Sequence, residues 1–315
     1  MVALPKVVSQ VRKEVGKGVV GQQQFIDSVL LAILCRGHAL IEGVPGVAKT
    51  LVVKLLSRML QVEFQRVQCT SDLMPADVIG GNVFNAAAST FTLRKGPLFT
   101  DLLLVDEINR MPPRTQAALL ESMEERQVTV DGVRYPLTEY FTVLATQNPI
   151  EFEGTYPLPE AQLDRFLLKI KVDYPGAEDE IAILERHQNG FDARDLDELS
   201  LDALDTESLR SARNEVRQVR VEPALFRYVS EVIRRTREWP TVSLGASPRA
   251  GVNLLNVSKA LAGMDGRDYL IPDDVKQAAP SCLRHRILLK PEAELEGIAT
   301  DNVITDVLAV IEVPK

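Results

Sequence analysis

The sequence predicts an α/β fold built on a parallel sheet, with a helical unit after it, and three observations carry that prediction. Helical and strand-like segments alternate through the first half, as crossover connections between parallel strands require. One strand, "LLLV" at 102–105, is branched aliphatic throughout, the mark of a strand buried on both faces. After "YPG" at 174–176 the alternation stops and helical segments follow one another. The domain boundary is therefore expected there, with 1–175 as the αβα domain and 176–315 as the helical domain.

Taken in order, 22–36 places Phe25, Val29 and Ile33 on one helical face, with Gly37 as the residue just past the helix end. Ala39, Leu40 and Ile41 form the first buried strand. A helix over 49–60 and a strand over 64–69 come next, then the strand at 102–105, and strands over 141–145 and 166–170 complete the set. Two insertions read as β-hairpins. In "QVTVDGVRY" at 127–135, Asp131-Gly132 supplies the positive-φ pair of a two-residue type I′ turn. The other spans 83–93 with a softer turn at 85–90. The second unit is expected to hold helices over 177–187, 206–215, 223–239, 248–263 and 272–286. The acidic stretch at 192–205 reads as a solvated loop.

Composition narrows the function classes. A chain of 315 residues, 45% hydrophobic and 25% charged, is ordinary globular material of roughly two domains. Its longest apolar run, 29–35, is far short of the ~20 residues that cross a bilayer. Lys6, Arg12 and Lys13 are followed by no apolar block of the signal-peptide kind, so a cytoplasmic protein without membrane insertion is expected. Cys35, Cys69 and Cys282 are not spaced as metal ligands with His38, His187 or His285, which predicts reduced thiols and no structural zinc. A net charge of −8 argues against extended contact with nucleic acid, though it leaves room for a locally basic pore.

The chemistry is concentrated in a few short stretches. "GVPGVAKTL", Gly43, Val44, Pro45, Gly46, Val47, Ala48, Lys49, Thr50 and Leu51, follows a buried strand and opens a helix. That context suits a phosphate-binding loop, whose backbone N–H groups and helix N-terminus face phosphate oxygens. Lys49 adds a positive charge and the Thr50 hydroxyl can ligate Mg²⁺. Ala48 stands where the usual pattern has glycine, and is expected to be tolerated in helical dihedrals. "LLLVDE" delivers Asp106 to the same sheet edge as a Mg²⁺ ligand through water, with Glu107 as general base. Asn148, after the strand at 141–145, can orient the attacking water, or it can be turn chemistry with Pro149. Arg165 and Arg249 have the planar, permanent charge suited to phosphate oxygens; each is equally the kind of residue that forms a surface ion pair.

The combination of "GVPGVAKT", "LLLVDEINRMPPRTQAALLESMEERQVTVDG", "ATQNPIEFEGTYPLPEAQLDRF" and "GASPRA" resembles the MoxR family of AAA+ ATPases, over about residues 20–286. The block at 106–132 is its most specific part. The resemblance implies an AAA+ P-loop NTPase αβα core with β-hairpin insertions, followed by an α-helical lid domain. It implies ATP and Mg²⁺ as cofactors, Lys49 and Thr50 as Walker A, Asp106 and Glu107 as Walker B, and Asn148 as sensor 1. Arg249 would be sensor 2, acting in cis or in trans, and Arg165 the arginine finger offered to a neighbouring subunit. Val20, Gly21 and Gln22 would lie near the adenine, and Arg110 is a further candidate for an inter-subunit contact. The hairpins would be the helix-2 insert and the pre-sensor-1 insert. Such proteins form hexameric rings, so the resemblance implies a remodelling or maturation chaperone, often paired with a protein carrying a von Willebrand factor A domain. The competing readings are a nucleic-acid motor akin to minichromosome maintenance helicases, with Arg94, Lys95 and Arg134 lining a pore, a metal-chelatase motor subunit, and a non-hydrolysing nucleotide switch.

Overall fold

The computed structural model describes residues 3–87, 89–148, 154–193 and 195–314. Its strands are β1 (Ala39–Gly43), β2 (Phe64–Gln68), β3 (Gly80–Asn85), β4 (Thr90–Lys95), β5 (Leu102–Asp106), β6 (Gln127–Val130), β7 (Val133–Pro136), β8 (Thr142–Gln147), β9 (Leu168–Val172), β10 (Val242–Leu244) and β11 (Leu288–Leu289). The helices of the first part are α1 (Ala3–Val15), α2 (Gln23–Leu34), α3 (Lys49–Met59), α4 (Pro75–Ile79), α5 (Pro113–Glu125) and α6 (Glu160–Leu163). They are followed by α7 (Ala177–Gln188), α8 (Thr206–Gln218), α9 (Pro223–Glu238), α10 (Pro248–Met264), α11 (Pro272–Leu283), α12 (Pro291–Leu295) and α13 (Thr300–Val310).

Five strands form one parallel sheet in the order β2-β5-β8-β1-β9. Every residue of β5 is buried, because the strand is covered on both faces. Alternation decides which side each residue serves. Ile41, Leu104 and Leu144 join α2 and α3 in one core, while Leu40, Leu103, Val105 and Val143 join α5 in the other. The first core continues without a break into α8, α10 and α11. The helical part is a lid seated on that face, and β10 and β11 add a two-stranded antiparallel sheet that the sequence did not signal.

Three points differ from the sequence reading. Helix α2 does not end on Gly37: Arg36 takes the left-handed position (φ 54), with its N–H on Ile33 O at 3.2 Å and that of Gly37 on Ala32 O at 2.9 Å. This is a Schellman closure, and Gly37 is small because a Cβ there would press on the Leu167 side chain. The stretch 192–205 is not a free solvated loop either. Leu196 and Leu204 are buried, Asp202 N donates to Glu14 Oε2 at 2.8 Å, and Asp205 caps α8 by accepting from Ser208 N at 2.7 Å. Third, α1 was unread, yet Leu4, Val7, Val8, Val11 and Val15 are all buried at helical spacing against Leu209, Ala212 and Val216 of the lid.

The second hairpin closes as expected, with Asp131 at φ 49 and Gly132 at φ 81. The first is longer than its reading, pairing Gly80 with Lys95 through to Asn85 with Thr90; residue 88 of its turn lies outside the described residues. Asn82 Nδ2 donates to Asp131 Oδ2 at 2.7 Å and ties one hairpin to the other. Among the described residues no helix is long and apolar enough to cross a membrane.

Candidate active site

The site forms where β1, β5 and β8 end together. From Gly43 the chain turns through Gly46 (φ 86) into α3, which begins at Lys49. Ala48 departs from expectation: it sits at φ 59, ψ 20, the left-handed region, not in helical dihedrals. A non-glycine residue there costs about 1–2 kcal/mol, so the loop keeps its shape against a local preference. Lys49 Nζ donates to Gly43 O at 2.6 Å. Burial pushes its pKa down, and the charges of Asp106 and then Glu107 push it back up.

Asp106 is the last residue of β5, and parallel register with β8 brings Thr146 beside it. The Thr146 hydroxyl donates to Asp106 Oδ1 at 3.2 Å and accepts from Glu107 N at 2.9 Å. One hydroxyl therefore fixes both carboxylate positions. Asp106 Oδ2 takes Arg66 Nε at 2.6 Å. Glu107 turns out of the strand at φ 59, and its Oε2 lies 2.9 Å from Arg110 Nε. Arg110, a candidate for an inter-subunit contact, forms this ion pair within its own chain.

These groups share a cavity of about 500 Å³, lined by the loop from Gly43 to Leu51, Asp106, Glu107, Thr146 and Asn148. A second cavity of about 570 Å³ adjoins it through Gly46, Ala48, Leu51 and Ala193, and is walled by Val20, Gln22, Val47, Ile183 and Phe191. The two compartments lie on either side of the loop: the first gathers Lys49, Thr50, Asp106 and Glu107, and the second is walled by more aliphatic and aromatic side chains, with Arg186 and His187 among them. Val44 and Gly21 line neither: Val44 packs on the core, and Gly21 (φ 71) has no room for a Cβ beside the Asp179 carboxylate. Thr50 and Asp106 present the hard oxygen donors that Mg²⁺ takes alongside phosphate and water. Among the described residues there is no group of three or more His, Cys, Asp or Glu side chains placed to hold a metal ion.

Residues 38–168 match the model of the ATPase family associated with various cellular activities (AAA), and 234–307 match the AAA lid domain. The chain is 41% identical over 313 residues to chaperone MoxR1 of Mycobacterium tuberculosis, covering 96% of this chain and 81% of that protein. It is 41% identical over 302 residues to protein YeaC of Bacillus subtilis, covering 96% and 93% of the two. The chain belongs to the MoxR family of AAA+ ATPases. Among solved structures, a Cytophaga hutchinsonii protein assigned to the ATPases superposes with a TM-score of 0.91 at 41% identity, over 99% of this chain and 96% of that one.

In this MoxR-family fold the two arginines read from the sequence lie elsewhere. Arg165 precedes β9, at the opposite end of the strand from the phosphate loop, since Gly43 pairs with Val172. Arg249, in the first turn of α10, clasps Glu124 of α5 with bonds of 3.0 and 2.8 Å. Neither lines the phosphate cavity. The structure does bring them toward each other: Asp164 accepts from Ser247, the cap of α10, at 3.3 Å and from Arg286 Nε at 2.6 Å. Sequence reading missed Arg66, Thr146, Glu124, Asp164, Ser247 and Arg286, and also the contribution of Phe191, Asp192 and Ala193 to the cavity beside the loop. Thr146 alone left a signal, two residues before Asn148 on the strand next to β5. Residues 149–153 of the quoted "ATQNPIEFEG" stretch lie outside the described residues.

Proposed function

We propose that this chain is an ATP-hydrolysing, ring-forming remodelling chaperone, with 1–175 as its motor core and 176–315 as its lid. The observation that carries the reading is the convergence of Lys49, Thr50, Asp106, Glu107 and Asn148 on one cavity that adjoins the second compartment. Adenine fits that second compartment, near Val20 and Gln22. The triphosphate fits the loop, where N–H groups at the start of α3 and the Lys49 ammonium meet its charge. Thr50 and Asp106 would hold Mg²⁺, which when bound neutralises phosphate charge.

Glu107 then takes a proton from the attacking water, which Asn148 orients. For that the carboxylate must leave Arg110, so the ion pair marks a state to be exchanged during turnover. Arg165 serves the nucleotide of an adjoining copy, and Arg249 beside it acts on that same site in trans. A finger supplied in trans contributes about 10³ to 10⁵ in rate, or ~4 to 7 kcal/mol, which couples hydrolysis to assembly. A hexamer is the ring that the family resemblance implies.

A chaperone role draws support from the name of the Mycobacterium tuberculosis relative and from the exposed Phe84 and Phe91 of the first hairpin, whose rings pair at 5.2 Å in reach of a client. A protein with a von Willebrand factor A domain is the partner class that the resemblance implies, and the cytoplasm is the compartment.

A mixing experiment tests the reading. Lys49→Ala, which supplies Arg165 but lacks the phosphate lysine, and Arg165→Ala, which should bind ATP but turn it over about 10³-fold or more slowly, are each expected to be inactive. Combined, they should recover turnover well above either alone. An inactive mixture, or wild-type turnover by Arg165→Ala, would remove the shared-site assignment.

A further inference from the structure

We propose that the seam between core and lid holds a second anion site, separate from the nucleotide cavity, which takes a small ligand bearing closely spaced phosphates. A cavity of about 320 Å³ opens where the end of α2 meets α8 and α10, the lower end of the size range for small-molecule sites. Four cationic side chains line it, Arg36, Arg213, Arg217 and Lys259, together with Asn256 and Cys35. No carboxylate lines it, in a chain whose net charge is −8. It shares no lining residue with either compartment of the nucleotide site.

Lys259 Nζ donates to Arg217 O at 2.8 Å. Arg213 is fixed by neutral partners, giving Nε and Nη2 to Ile33 O at 3.0 and 2.8 Å and Nη1 to Glu139 O at 3.1 Å, with its guanidinium 4.6 Å from the Tyr140 ring centre. Its charge is thus buried with no carboxylate bonded to it among the described residues. Burial, followed among the lowering causes by repulsion from Arg36 and Arg126, takes its pKa down to about 10 against the opposing pull of Tyr140 and Glu139. Arg36 Nε is buried with no hydrogen-bond partner among the described residues. Like charges gathered this way repel, and a multiply charged anion removes that cost. Planar guanidinium forks favour phosphate oxygens over other acceptors. Since Arg36 belongs to the core and Arg213, Arg217 and Lys259 to the lid, the ligand would also fasten one to the other.

The test is isothermal titration of inorganic pyrophosphate into the full chain, with its nucleotide cavity saturated by magnesium and the imido analogue of ATP and equal free magnesium in both solutions. One pyrophosphate per chain should be taken up. Arg36→Ala with Arg217→Ala, both outside the apolar core, should weaken that uptake by at least ~10-fold without lowering the melting temperature of the ligand-free chain. Three results overturn the proposal: no uptake by the saturated protein, uptake unaffected by the double variant, or citrate bound as tightly as pyrophosphate. Because the nucleotide cavity is filled and its residues untouched, failure here is distinct from failure of the ATPase reading.

Discussion

The two ends of the central sheet are built to different purposes. At the carboxyl end the chain bends sharply: Ala48 and Glu107 are both in the left-handed region, and charged side chains line open space. At the amino end everything is tied down. Arg286 bonds the Asp164 carboxylate and its backbone oxygen, His38 accepts from Val143 N at 2.9 Å, and His285 Nε2 meets Phe166 O at 3.0 Å. Arg165 and Arg249 stand on this braced end. Five residues of β9 at ~3.3 Å each put Arg165 about 16 Å from the phosphate loop of its own chain. No side-chain rotation spans that gap, so Arg165 does not reach the phosphate loop of its own chain.

The largest effect that sharpens this contrast is expected at the carboxyl end. Glu107→Gln removes the proton acceptor while keeping the shape of the side chain, so kcat should fall by about 10² to 10⁴-fold with ATP affinity kept or raised. Single-turnover hydrolysis together with equilibrium nucleotide binding checks it. A parallel loss of binding would show that Glu107 holds the loop together instead of taking the proton.

Which end was legible in the sequence follows from the same contrast. The carboxyl end was, because Gly43, Lys49, Asp106 and Glu107 lie in short contiguous stretches whose spacing already encodes a strand, a turn and a helix. The amino end was not, because its ties join distant segments: Asp164 to Ser247 and Arg286, Arg249 to Glu124. No local pattern announces a partner 83 to 125 residues away. Ala48 was misread for a related reason. Its residue preference pointed to a helix, and the loop imposes φ 59 on it. Helix α1 escaped because its apolar stripe, Val7, Val8, Val11 and Val15, was read only for a leader segment.

A middle-sized effect probes the braced end through pH. His38 is buried, and desolvation and then the Arg126 charge drive its pKa down to about 3, while burial carries His285 well below the usual histidine range. Val143 N–H on Nδ1 leaves the His38 proton on Nε2, donating to Met123 O at 3.2 Å, so the neutral ring is the native form. The unfolded chain gains protons below about pH 6.5 that the native chain refuses. Stability is therefore fully present above pH 6.5 and declines as pH falls from there toward 3, approaching about 1.4 kcal/mol per pH unit for each histidine. Urea midpoints between pH 7.5 and 5 measure it, and His38→Gln, uncharged throughout, should show a shallower slope. A midpoint flat to pH 5 would mean that these rings titrate freely.

The smallest effect is at Ala48. Glycine there removes the left-handed penalty of about 1–2 kcal/mol but also frees the unfolded chain, which takes back about 0.4–1 kcal/mol. The balance predicts that Ala48→Gly leaves the protein unchanged or up to about 1 kcal/mol more stable, with nucleotide affinity retained, since the N–H directions depend on φ and ψ and not on the methyl group. Denaturant unfolding with and without ATP analogue separates the two quantities. Glycine at 46 already has φ 86 and open space around it, so a second glycine two residues on loosens the loop only if Ala48 is what holds it. A clear loss of affinity in Ala48→Gly would therefore identify the alanine as the rigid element of the loop, its strain kept because it fixes the amides where phosphate must sit.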